Sequence, residues 1–380
     1  MKKIIFTLIP LLIIIYFSFH EKRFNNQTIF IGSSLPKTSV LRKYGKSVQN
    51  GAQTYFDFVN QNRVLKNHKI KFLTYDDKYE PKLTLKNTQE LVRNKDLFVL
   101  FGFVGTSTVK NILPLINEYN IPLVATFSGA SFLRRDLGND NIVNIRSSYD
   151  DEIKAHIQYL YEQKGFRKIA VFYQNDSYGE DGYVSVINIL KKYKLSPIAE
   201  GNYKRNTLSI SHAFNSIKDA NPEAIIMIGE NKANTLFIKK AQQNKNFNNT
   251  VFSNISFGDA SEMIKNLEKN SKNIIFSQVV PSYQNQSIPV VKEYLDISKQ
   301  YNPNFEPNFV SLEAFLSAKI FVAAIKKIKG DITREKFKQA IRNLPQNTLS
   351  GISLDNEGKN LLNKVYLFQY QNKKFVEIQK

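Results

Sequence analysis

Two polar stretches hold the residue types that could grip a small charged or polar group. They are Gly102-Phe-Val-Gly-Thr-Ser-Thr108 and Phe127-Ser-Gly-Ala-Ser131, each following an apolar run, Leu97–Phe101 and Ile121–Ala125. Hydroxyls and flexible backbone at the carboxyl ends of buried strands are where open parallel sheets place ligands. Backbone N–H groups and the side chains of Thr106, Ser107, Ser128 and Ser131 suit a carboxylate or similar head. Such residues are also the ordinary openers of helices, and it is the pair of loops that points to a site.

Other chemistry is thinly represented. There is no cysteine, which removes disulfides, thiolate metal sites and cysteine nucleophiles. The four histidines, His20, His68, His156 and His212, have no ligand-like spacing, so neither a metal site nor a Ser-His-Asp triad is expected. Neither GxGxxG nor GxxxxGK[ST] is present, and no GxSxG, HExxH or paired-carboxylate site is evident. The acidic pairs Asp76-Asp77 and Asp150-Asp151 read as turn and helix-cap residues. The expectation is a non-enzyme without catalytic residues or cofactor.

Fifty-three Lys and Arg against 33 Asp and Glu give a formal charge of +20. The lysines are dispersed among Asn, Gln and acids, and clusters stop at pairs such as Lys191-Lys192 and Lys326-Lys327. No basic stripe interleaved with aromatics emerges, so nucleic acid is not the expected partner. Lys2-Lys3 followed by the uncharged run Ile4–Phe19 reads as a secretory signal or uncleaved membrane anchor over 1–23. The remainder is expected outside the inner membrane, in the periplasm.

The loops need elements to position them. Strands are expected at Thr28–Gly32, Lys69–Tyr75, Leu97–Phe101, Ile121–Ala125 and Asn141–Ile145, with a helix over 47–62 and another over 81–94. Arg146-Ser-Ser-Tyr-Asp150 reads as a crossover, with Asp150 or Asp151 capping a helix to about Gln163. A second series follows: strands at Lys168–Tyr173, Pro197–Tyr203, Glu223–Ile228, Thr250–Ser253 and Asn273–Gln278, helices at 183–193, 207–220 and 233–243. Helices at 289–300, 309–329 and 333–342 come next, then strand-like runs at 351–354, 365–370 and 374–378. Strands alternating with helices twice over imply two parallel-sheet α/β lobes. One lobe is assigned 27–146 plus 281–350, the other 147–280 plus 351–380. A cleft between hinged lobes is a natural ligand site.

Several segments together resemble the leucine/isoleucine/valine-binding type of periplasmic substrate-binding protein, type I. They are Tyr75-Asp-Asp-Lys-Tyr-Glu-Pro81, the Gly102–Ser107 loop, Ile121-Pro-Leu-Val124, Phe172-Tyr-Gln-Asn-Asp-Ser-Tyr-Gly-Glu-Asp-Gly182 and Phe309-Val-Ser-Leu-Glu-Ala314. The resemblance implies two Rossmann-like lobes joined by three hinge strands and a ligand in the cleft. It also implies delivery to an ABC permease in the inner membrane, with a membrane sensory receptor as the alternative partner, and a monomer.

Thr106 and Ser107 match the family's carboxylate loop, and Phe127, Ser128 and Gly129 its neighbour. Tyr44 and Tyr178 match aromatics that cover the ligand from the two lobes, and Glu230 a second-lobe polar contact that equally suits a helix start. Where amino-acid binders hold the ammonium with an acid, this chain has Ser256 beside Phe257. Either Glu230 or Asp259 takes that role, or the ligand lacks an ammonium; amino acids, amides and other small carboxylates stay open.

Overall fold

The computed structural model describes residues 22–25, 27–134, 140–267, 271–355 and 357–379. The expected amino-terminal targeting segment lies outside these, apart from Lys22 and Arg23. Among the described residues, no helix is long and apolar enough to cross a membrane.

The first series folds as β1 (Thr28–Leu35), α1 (Arg42–Gln61), β2 (Lys69–Asp76), α2 (Pro81–Arg93), β3 (Leu97–Phe101), α3 (Thr106–Lys110), α4 (Leu113–Glu118), β4 (Leu123–Val124) and β5 (Ile142–Val143). The strands pair in parallel in the order β2-β1-β3-β4-β5. Every side chain of β3 is buried, which explains its unbroken apolar sequence: a parallel strand between two helical layers has no wet face.

After β5 the chain enters the second lobe. There lie α5 (Tyr149–Gln158), β6 (Ile169–Asn175), α6 (Ser177–Lys192), β7 (Glu200–Lys204), α7 (Ser211–Asp219), β8 (Ala224–Ile228), α8 (Asn231–Gln242), β9 (Val251–Asn254), α9 (Ala260–Leu267) and β10 (Ile274–Gln278). Then α10 (Pro289–Tyr301), α11 (Phe309–Lys327) and α12 (Arg334–Arg342) return to the first lobe. In α11, Phe315 packs on Tyr55 of α1, and Phe321 on Phe56 and Phe101. The chain crosses a third time, adding β11 (Tyr366–Gln371) and β12 (Lys374–Glu377) to the second sheet, ordered β12-β11-β10-β9-β8-β6-β7. The expected two Rossmann-like lobes are thus present, with one difference: β11 and β12 run antiparallel, so the second sheet is mixed.

Local differences have local causes. Neither Asp150 nor Asp151 is the cap of α5. Ser148 is, accepting from Asp151 N while the Asp151 carboxylate accepts from Ser148 N, a reciprocal capping box. The run 351–354 is no strand; only a single bridge joins Leu349 to Ile352. The segment from Thr106 to Glu118 breaks at Asn111-Ile112 into α3 and α4, with Pro114 placed in the first turn of α4, where its missing N–H costs nothing. Helix α9 was not read from the sequence at all.

Candidate functional site

The first hydroxyl loop is built by backbone that favours glycine. Gly102 and Gly105 have φ of +72° and +97°, and a Cβ on Gly105 would lie 2.5 Å from the Tyr79 ring. Beyond the ends of β3 and β4 the loops stay laced together: Phe127 N donates to Phe103 O at 2.7 Å and Gly105 N to Phe127 O at 3.2 Å. This lacing brings Thr106 Oγ1 to 2.9 Å from Ser128 Oγ. Tyr149 OH completes the cluster at 3.3 Å from Thr106 Oγ1, and Tyr149 N donates to Gly129 O at 2.8 Å. Gly129 is glycine for space: a Cβ there would sit 2.6 Å from Tyr149. Thr106, Phe127, Ser128 and Gly129 are therefore brought together at the cleft.

The lobes are closed over this cluster. Ser107 Oγ donates to Asp176 Oδ2 at 2.9 Å, and Ser131 Oγ to Asp181 Oδ1 at 2.5 Å. Gln174 Nε2 donates to Tyr79 OH at 3.1 Å, while Lys43–Glu262 and Arg205–Glu80 pair at 2.6 and 2.9 Å. Asp176 also caps α6, accepting from Tyr178 N, and burial pushes its carboxyl up from the usual range.

Aromatic rings fill the centre. Phe257 lies 4.7 Å from Tyr178, 5.1 Å from Tyr44 and 6.1 Å from Tyr79, centroid to centroid. Tyr149 and Tyr178 are 5.2 Å apart. Tyr44, Tyr178 and Phe257 are thus assembled as one wall from both lobes, and burial holds the Tyr44 and Tyr178 hydroxyls far up in pKa.

Glu230 and Ser256 have other engagements. Glu230 stands at the head of α8, its oxygens accepting from Lys232 N and Ala233 N at 2.9 and 2.8 Å, a capping role away from the hydroxyl cluster. Ser256 donates to Glu152 Oε1 at 2.9 Å, and Glu152 Oε2 accepts from Ser256 N and Ser277 Oγ at 2.7 and 2.6 Å. Both serines and the carboxylate are buried, so Glu152 is the acid that stands behind Ser256.

The residue that sequence reasoning passed over is Arg146. It is fully buried where the chain leaves the first lobe. Its Nη2 donates to Ser256 Oγ and lies 3.7 Å from Glu152 Oε1; its Nε lies 3.5 Å from Glu313 Oε1, on α11. Burial alone would lower its pKa, but Glu313, Tyr44 and Glu152 outweigh burial and raise it, so it is cationic. Desolvation pushes Glu313 up to about 7 despite Arg146. The signal in the sequence was a lone charge ending the apolar run Ile142–Ile145. Tyr79 was hidden inside a turn. Among the described residues no group of His, Cys, Asp and Glu could hold a metal ion.

A family model described as periplasmic binding protein matches residues 28–374. A Leu/Ile/Val-binding protein of Rhizobium johnstonii is 26% identical over 166 residues, a segment that covers 42% of this chain and 44%, less than half, of that relative. A structure described as a possible leucine/isoleucine/valine-binding protein of Rhodopirellula baltica is 28% identical. It superposes with a TM-score of 0.87 over 94% of this chain and 98% of the other. A fatty acid ABC transporter substrate-binding protein of Thermomonospora curvata shares the fold, with a TM-score of 0.84 at 16% identity over 95% and 94% of the two chains. With a match over nearly its whole described length and a cleft of this construction, the chain belongs to the periplasmic binding protein family.

Proposed function

We propose that this protein is a non-catalytic extracytoplasmic receptor. It captures a small polar ligand between its lobes and delivers it to an ABC permease in the inner membrane. The carrying observation is the convergence of Thr106, Ser128 and Tyr149, with the charge of buried Arg146 acting on Tyr149, beneath rings from both lobes. Ligand would dock on the first-lobe hydroxyls and draw in the second lobe, which brings Tyr178, Ser256 and Phe257. The relatives support the receptor role and leave the ligand open, since their names range from leucine to fatty acid. A periplasmic location, a monomeric state and an amino acid, amide or small carboxylate as cargo belong to this reading.

A thermal-shift screen of the full chain against those three classes tests it. A ligand held at a hundredfold excess over Kd adds about 2.7 kcal/mol of stability and should raise Tm measurably. Turnover of a compound, or no response to any class, would overturn the receptor reading.

A further inference from the structure

The centre of the closed cleft holds donors without acceptors. Arg146 Nε and Nη1 and Tyr178 OH are completely buried and make no hydrogen bond. A buried polar group left without a hydrogen bond is costly, more so when charged, so these neighbouring donors mark the place of a missing acceptor. They share surroundings: Tyr149 packs on Tyr178 and feels the Arg146 charge, and Phe257 packs on Tyr178 next to Ser256.

The acids around them are already engaged. Glu152 accepts three bonds from Ser256 and Ser277. Glu230 caps α8, and Asp176 and Asp181 receive Ser107 and Ser131 at the rim. Asp259 accepts from Glu262 N at 3.3 Å and feels the charges of Lys265 and Lys43. Of these described acids only Glu313 makes no hydrogen bond, and it faces Arg146. An ammonium buried here would therefore sit against a guanidinium, without a free carboxylate to offset its desolvation.

We infer that the ligand is a carboxylate without an α-amine, its oxygens received by Arg146 and Tyr178 beside the Thr106–Ser128 hydroxyls and its apolar body lying against Tyr44, Tyr79 and Phe257. This rests on the receptor reading and narrows it. Charge balance completes it. Glu313 is faced by Arg146 from the crossover, Glu152 from α5 and Tyr44 from α1. With its pKa near 7 it takes up a proton when the ligand's charge arrives, and yields Arg146 to the ligand. Binding then consumes one proton above pH 7.

The test uses the full chain, calorimetry and matched probes: 4-methylpentanoate against leucine, 3-phenylpropanoate against phenylalanine, and the two corresponding amides. Each amino acid differs from its partner only by the α-ammonium. The expected result is that one of the carboxylates binds at least about tenfold tighter than its amino acid and amide. Its affinity should weaken by up to about tenfold between pH 7 and pH 8, the limit for one linked proton. Glu313→Gln should bind that carboxylate with no such pH dependence, and Arg146→Lys should bind it more weakly than the parent. An amino acid bound as tightly as its deaminated partner, or tight binding confined to an amide, overturns the inference and leaves the receptor reading standing. Response to no probe, and to nothing in the wider screen, overturns both.

Discussion

A buried hydroxyl is tolerable when another group satisfies it, and Thr106 and Ser128 serve each other. Thr106→Val removes the shared partner of Ser128 and Tyr149 at nearly constant volume. It should cost roughly 1–3 kcal/mol by chemical denaturation and weaken the ligand response. A second expectation concerns pH. Burial raises Asp77 to about 6 and Asp259 and Glu313 to about 7, against 3.8 to 4.5 in ordinary surroundings. Between those values the native state holds more protons than the unfolded chain. Stability from these groups is therefore greatest near pH 4 and is lost as pH rises through 6 to 7. His156, lowered to about 4, opposes them in the same window as a single group, while Asp76 and Glu223 are lowered and act only below their ordinary 3.8 and 4.5. Tm should be higher at pH 6 than at pH 8; the reverse would contradict the sign.

At this scale the sequence showed Thr106 and Ser128, because small hydroxyls after apolar strands are a local pattern. It did not show Arg146, Tyr79 or Glu313, whose meeting depends on contacts across long stretches of chain. Glu230 was legible only as a choice between cap and contact. Geometry assigns it the cap.

Among the elements, the meeting of α1 and α11 sets a tight demand. A Cβ on Gly51 would stand 2.1 Å from Ser311 O, backbone that cannot swing aside. Gly51→Ala gains helix propensity yet should destabilise the protein, by roughly 1–3 kcal/mol, because the helices must separate. A thermal or urea melt reads this directly, and unchanged stability would show that the pair has slack. Helix α11 was legible as a helix from its length, since Phe309–Lys327 is a largely apolar run too long for a strand. Helix α9 was missed because its eight residues follow a left-handed turn at Asp259, with φ of +54°, and carry too few turns to display a period. The run at 351–354 looked strand-like on composition, but no neighbouring strand lies beside it to pair with, beyond the bridge to Leu349.

At the scale of the whole molecule, two carboxylates near the head of α6 are among the contacts that hold the lobes together. Asp176 and Asp181 meet Ser107 and Ser131 across the cleft. Replacing both acids by alanine should raise the ligand-free radius of gyration in X-ray scattering, and bound ligand should restore much of the compact form. A radius unchanged from the parent would show that other rim contacts suffice. The lobes themselves were readable from the alternation of strands and helices. That α10 to α12 belong with the first lobe was expected in the assignment of 281–350 to it, on their place after the second series and not on periodicity, which carries no address.

That return has a consequence for how the chain acquires its structure. The first sheet is encoded by residue 143, yet Phe56, Phe98 and Phe101 find their cover, Phe321, only after residue 320. A growing or threaded chain must hold this half-finished core open for most of its length. Contacts so distant in sequence make folding slow. An amino-terminal fragment ending before Phe309 should lack a cooperative melt and bind a dye for exposed apolar surface, whereas the full chain melts sharply. If the chain is exported unfolded, as the proposed extracytoplasmic role requires, late completion of the first lobe would keep that lobe threadable until nearly all of the chain has emerged.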